Sequence, residues 1–283
     1  MNENRDNRLT DSDIPAGLWV SWSRTEILGL FFLVLTGNFF GQFAAFSTFG
    51  GLAIPVLGGA VLGVFLPLLA VARLRKLQLV RDFALDLPPW TILGATGLLA
   101  VAGLVPTSIL AELSLRLTPA HPESVAFMND HLPEGPLELA LAFLALVVVA
   151  PLAEEIIFRG LLHRLASSVW GPLAGTAVSS LVFGILHGEA WILFGLIGVG
   201  VVLAFVWEAT RSLTACWLCH AIHNGISLVL MVRQGPRDMV PQPWQLSTFI
   251  WAAVSLLVMV AVGKFLWEAR MAAQTREDDG HTL

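Results

Sequence analysis

Val147-Val148-Val149-Ala150-Pro151-Leu152-Ala153-Glu154-Glu155-Ile156-Ile157-Phe158-Arg159-Gly160 closes an almost wholly apolar run that begins at Leu137. It sets three ionisable side chains, Glu154, Glu155 and Arg159, inside what otherwise reads as a membrane-spanning helix. Each such charge costs about 2.5–3.5 kcal/mol on insertion scales, so it faces a protein interior or a wet cavity and has a task there. Working outward, two later apolar stretches carry polar residues at helical spacing, Phe183-Gly184-Ile185-Leu186-His187 and His220-Ala221-Ile222-His223-Asn224. We read the three stretches as one intramembrane active site.

Composition sets the class. Of 283 residues, 56% are hydrophobic and 13% charged, with a mean hydropathy of +0.75. Soluble domains carry about 25% charged residues, so the expectation is an all-α, polytopic membrane protein. The net charge is −5 and there is no basic patch, which argues against nucleic acid as a partner. Cys216 and Cys219 form a lone C-x-x-C in an apolar run and are read as small residues of a membrane helix. Met1–Ser23 is polar with mixed charge, unlike the basic end of a signal peptide, so the first span is expected to be retained.

Spans of about 20 apolar residues number eight: Glu26–Phe46, Leu52–Val71, Trp90–Leu110, Leu137–Arg164, Trp170–His187, Trp191–Trp207, Ser212–Val232 and Ser247–Trp267. With the N-terminus inside, twelve Lys/Arg fall in inner segments (Arg5, Arg8, Arg24, Arg73, Arg75, Lys76, Arg81, Arg164, Arg211, Lys264, Arg270, Arg276). Only Arg116, Arg233 and Arg237 fall outside, so both termini are expected in the cytoplasm. At 1.5 Å per residue, Glu154, His187, His220 and Asn224 lie roughly 12–25 Å from the cytoplasmic end of their spans, within about two helical turns of one depth. Glycines 50 and 51, Pro241 to Pro243 and Thr118–Pro136 mark loops. Leu113, Leu115, Leu117 and Val125 suggest an interfacial helix in the outer loop Ala111–Pro136. The division expected is a cytoplasmic start (1–23), accessory spans with the outer loop (24–136), a catalytic core (137–232), a loop with the last span (233–273) and a disordered tail (274–283).

Glu155 and Arg159 stand four apart with the acid first, the favoured orientation for an ion pair on one helix face. Glu154 lies about 100° round the helix, and burial would raise its carboxyl toward the range of a general base. Phe183 and His187 share a face, as do His220 and Asn224. A carboxylate and an imidazole can activate water; an amide and a second imidazole can donate to an oxyanion. His223 is read as packing or support, and His163 as interfacial. No serine has a nucleophile's context, since Ser179-Ser180 lacks G-x-S-x-G, and H-E-x-x-H is absent. Glu154, His187 and His220 are acceptable zinc ligands, and spacing does not choose between metal and metal-free activation of water. Gly200 and Ala204 in the sixth span give small-xxx-small packing that would draw the fifth and seventh spans together.

Glu-Glu-x-x-x-Arg at Glu154, Glu155 and Arg159, Phe-x-x-x-His at Phe183 and His187, and His-x-x-x-Asn at His220 and Asn224 resemble the CAAX-protease and bacteriocin-processing (CPBP, or Abi) family. The eukaryotic CAAX prenyl endopeptidase belongs to that family. The resemblance covers roughly Leu137–Val232. It implies that Glu154 and His187 activate the water, His220 and Asn224 stabilise the oxyanion, and Glu155, Arg159 and Phe183 support the site. It leaves the cofactor as a divalent metal such as zinc, or none. The implied substrate is a membrane-associated peptide or protein, lipidated or not, cleaved by a multi-pass protein of a prokaryotic plasma membrane. The alternatives are a non-catalytic peptide-binding or immunity protein of the same fold, and a proton-coupled carrier. A carrier predicts repeated halves, and none is visible.

Overall fold

Hydropathy this high leaves the backbone no water to bond with inside a bilayer, and helices satisfy their polar groups internally. In the computed structural model, which describes residues 18–235 and 239–280, every regular element among those residues is helical. In chain order the helices are α1 (Leu18–Ser21), α2 (Arg24–Phe49), α3 (Ala53–Arg75), α4 (Leu79–Asp82), α5 (Trp90–Leu117) and α6 (Pro122–Asp130). They continue with α7 (Pro136–Trp170), α8 (Pro172–Leu186), α9 (Ala190–Thr210), α10 (Leu213–Gln234) and α11 (Leu246–Gly280). Seven of these (α2, α3, α5, α7, α9, α10 and α11) are long and apolar enough to cross a membrane, and the chain is an integral, multi-pass membrane protein.

All eight expected spans are helices, but the fifth is short. Helix α8 has 15 residues, about 22 Å, against a hydrocarbon core of about 30 Å. Gly171 (φ +85°) and Gly188 (φ +74°) bracket it, and both sit in the left-handed region where a side chain would be strained. Among the basic residues of the charge count, Arg5, Arg8 and Arg237 lie outside the described residues. The expected tail is helical over 274–280, a correction to the reading of disorder. Met271-Ala272-Ala273-Gln274 are good helix formers, and extending an existing helix avoids the cost of nucleation.

The chain divides into two compact units, residues 1–86 with 135–178, and 87–134 with 179–283. The first holds α1 to α4, α7 and the start of α8. Helices α2 and α3 meet through glycines. A Cβ at Gly63 would land on the Gly37 carbonyl, and one at Gly41 would sit 2.9 Å from the Gly58 oxygen. Such backbone contact needs small residues. Three stretches wind more widely than an α-helix, with i→i+5 bonding: Gly59–Phe65, Leu144–Val149 and Ile156–His163. Such winding is rare and often accompanies function.

The C-terminal half of α7 is locked by the turn after α4. The fully buried Phe83 ring presses on Gly160, where a Cβ would come within 2.8 Å of it. Arg164 Nη1 donates to the Asp82 carbonyl at 2.9 Å and lies 4.2 Å over the Trp19 ring. His163 is fully buried by protein, with Ser167 Oγ and Thr176 Oγ1 each 3.4 Å from a ring nitrogen. Gly175 lets α8 approach this turn closely enough to seal it, since a Cβ there would be 2.9 Å from the His163 carbonyl oxygen.

The second unit is built on α5, which packs against α9, α10 and α11. Gly184 admits Ile197, and Gly200 admits Ser180, whose Cα would stand 2.8 Å from an added Cβ. Gly200 thus draws α9 onto α8 as its spacing predicts. Cys216 and Cys219 are buried thiols, and Cys216 Sγ lies 3.7 Å from the Leu203 carbonyl. Near the start of the last span, Glu112 pairs with Arg116 at 2.8 Å and accepts from the Gln242 amide at 2.8 Å, tying α5 to the segment before α11. At the far end of α9, Glu208 pairs with Arg211 at 2.7 Å and with Arg270 at 3.7 Å. The loop begins later than expected: Leu113, Leu115 and Leu117 belong to α5, where Leu115 is buried, and only the short α6, which buries none of its residues, lies in the segment that follows.

Candidate active site

In the first unit, α7 carries Glu154, Glu155 and Arg159. The expected ion pair is present. Arg159 Nη1 donates to Glu155 Oε1 at 3.0 Å, and neither side chain is exposed at all (0% each). The pair lies on one face of α7 and spans the point where the wide winding begins at Ile156. Glu154 differs from its neighbour in burial. It is half-buried, with Oε2 sealed from solvent.

In the second unit, Phe183 brings two imidazoles to one place. Its buried ring lies 4.6 Å (centroid to centroid) from the His187 ring and 5.7 Å from the His220 ring, edge-on to the latter. His187 sits just past the C-terminus of α8, where carbonyls lack helical partners. Its Nδ1 lies 2.7 Å from the Phe183 carbonyl oxygen. A carbonyl only accepts, so Nδ1 carries a proton, and Nε2 is the ring nitrogen left to exchange one. The ring is exposed, whereas His220 is almost completely buried. Asn224 is half-buried, one turn along α10 from His220.

Sequence reasoning passed over Glu189 and Thr107. Glu189 follows His187 through Gly188, in the turn between α8 and α9. Burial pushes its carboxyl above the ordinary value, and the charge of His187 draws it back. An acid two residues from a candidate base was the available signal. Thr107 lies on α5, next to Pro106 and remote in sequence from every motif, yet its Oγ1 is 3.3 Å from His223 Nε2. No local pattern points to that contact.

Among the described residues no three His, Cys, Asp or Glu side chains are grouped as a metal needs. Within the second unit the His187 and His220 rings both lie against the Phe183 ring. The two imidazoles of the second unit by themselves fall short of the three protein ligands that a catalytic zinc takes.

Residues 136–226 match the family model described as Type II CAAX prenyl endopeptidase Rce1-like. That stretch is Rce1-like. It contains all seven residues of the three motifs. All of α5, including Thr107, and all of α11 lie outside the Rce1-like stretch. An uncharacterized protein of Mycoplasma capricolum subsp. capricolum is 34% identical over 98 residues, covering 33% of this chain. The match spans 28% of that protein's length. No solved structure matches the chain.

Proposed function

We propose that the chain is an intramembrane endopeptidase that hydrolyses a peptide bond in a membrane-associated substrate. The observation that carries this reading is the Phe183 cluster: one buried ring holding two imidazoles, with His187 Nδ1 donating to the Phe183 carbonyl. The Rce1-like match over the same residues supports it. Glu154 and His187 take a proton from water as its oxygen attacks the scissile carbonyl carbon. His220 and the Asn224 amide donate to the resulting oxyanion. The proton then passes to the leaving amine as the C–N bond breaks. The Glu155–Arg159 pair holds Glu154 in place. Both termini face the cytoplasm, the substrate is peptidic, and prenylated C-a-a-X chains are the first class to try. A peptide-binding or immunity protein would have no use for a proton-exchanging Nε2.

The test compares purified wild type and Glu154→Gln in lipid, on prenylated and unlipidated peptides, with and without a chelator. Turnover by wild type alone, with peptide binding retained in the variant, supports the protease. Equal behaviour of the two proteins supports the binder. Loss of turnover on chelation would bring a metal into the mechanism.

A further inference from the structure

Helices α5, α9 and α11 of the second unit do not close on one another along their whole length. They leave an open groove of about 590 Å³, within the roughly 300–1,000 Å³ of ligand pockets. Leu99 of α5, Val201 and Phe205 of α9, and Leu256 and Val260 of α11 wall it, and none of these side chains carries a polar atom. Gly263 leaves its floor open, since even a Cβ there would come 3.1 Å from the Phe205 ring. Water needs about two to four polar partners to stay in such a space, so hydrocarbon fills it.

At one end the lining changes character. Lys264, Trp267 and Glu268 form the mouth. From Glu268 to Leu256 the groove follows α11 for roughly 18 Å at 1.5 Å per residue. That is close to the depth of one leaflet of a hydrocarbon core about 30 Å thick. The groove therefore opens at headgroup level and ends near the bilayer centre, in the leaflet that is cytoplasmic in the proposed orientation. Trp267 is exposed at the mouth, where an aromatic side chain suits the membrane–water boundary.

The mouth carries one charge of each sign. Lys264 Nζ lies 3.7 Å from Glu268 Oε1, and the two side chains are 74% and 65% exposed. An ion pair so exposed contributes little, so both groups can turn to other partners at small cost. Arg270 is already engaged, paired with Glu208 and 5.4 Å from the Trp267 ring centroid. A zwitterionic headgroup complements this mouth, with its phosphate against the ammonium and its own ammonium against the carboxylate. An anionic headgroup would gain Lys264 and be repelled by Glu268.

We propose that the groove binds one phosphatidylethanolamine molecule, with an acyl chain laid along α11 toward Leu256, the phosphate on Lys264 and the ammonium on Glu268. The site lies wholly within the second unit and does not rest on the protease reading.

The experiment titrates the full chain, purified in a mild detergent, with dioleoyl phosphatidylethanolamine or dioleoyl phosphatidylglycerol and counts bound lipids by native mass spectrometry. Wild type should bind a first phosphatidylethanolamine with a Kd about fivefold below that for phosphatidylglycerol, the size of one charged contact at a membrane surface. Glu268→Gln should abolish that preference, and Lys264→Gln should weaken both lipids by about fivefold. Both positions are exposed, so neither change disturbs packing. Gly263→Leu fills the groove from its floor and should lower first-site occupancy by either lipid; Val260→Trp does the same from an exposed position if the first variant fails to fold. Equal affinity of wild type for the two lipids, or a preference unchanged in Glu268→Gln, overturns the proposal. So does a dimer that excludes lipid, which would make the groove an interface between copies. Displacement of the first lipid by an equimolar farnesylated peptide would give the groove to a substrate and overturn it as well.

Discussion

Separating Glu155 from Arg159 should be among the most damaging single changes in the chain, and changing both should be far milder. The two charges are 3.0 Å apart and neither is exposed. Even at an effective dielectric of about 20, unit charges about 4 Å apart attract by about 4 kcal/mol. Arg159→Met strands a carboxylate and Glu155→Leu strands a guanidinium, and breaking a buried pair from one side costs about 3–5 kcal/mol. A stranded carboxyl can take up a proton, which sets Arg159→Met toward the lower end, about 3 kcal/mol. The double variant buries only apolar atoms of similar volume and should lie within about 1 kcal/mol of wild type. The implied coupling, about 6–7 kcal/mol, exceeds the usual ~0.5–3 kcal/mol between neighbours because both groups are sealed from water. The assay is equilibrium unfolding in mixed micelles of rising SDS content, read by tryptophan fluorescence, for the four proteins of the cycle. Additive single effects would refute the reasoning, since they would mean that water reaches the pair and screens it.

Helix α2 offers a contrast on one element. Gly63→Ala in the partner helix α3 drives a methyl into the Gly37 backbone and should lower the thermal midpoint by well over 5 °C, whereas Gly29→Ala on α2 meets nothing within 4 Å. The latter should be neutral or stabilise by up to about 1 kcal/mol, since alanine is the better helix former; scanning both variants in detergent checks this. Glu189→Gln should raise the thermal midpoint near pH 7, because burial disfavours the carboxylate that glutamine removes. A folded-state value above the ordinary one means that wild type loses stability as pH rises through the ordinary carboxyl range toward that value, so the gain should disappear near about pH 4. A gain of equal size at both pH values would contradict the burial of that carboxyl.

Much of the architecture was legible because a bilayer leaves so few solutions. The runs of apolar residues could only be helices, and the charges in α7 could only be paired. Glu155 and Arg159 stand at i and i+4, so their contact needs nothing beyond one helix. Phe183 and His187 likewise meet across a single turn. The length of α8 was misjudged because hydropathy does not see backbone dihedrals, and two left-handed glycines end that helix early. The burial of His163 was not legible for a related reason, because it depends on the approach of α8 at Gly175.

By itself, then, the order of residues determined an all-helical membrane protein, the ion pair on α7 and the three motif positions, since each depends on bilayer length or on neighbours within one helix. Tertiary structure alone decided the rest. It set His220 against Phe183, pressed Phe83 onto Gly160, and brought Thr107 to His223 across 116 residues of chain. Those contacts join different helices, and which faces of two helices meet is fixed by packing of small residues and buried polar groups that no local pattern encodes.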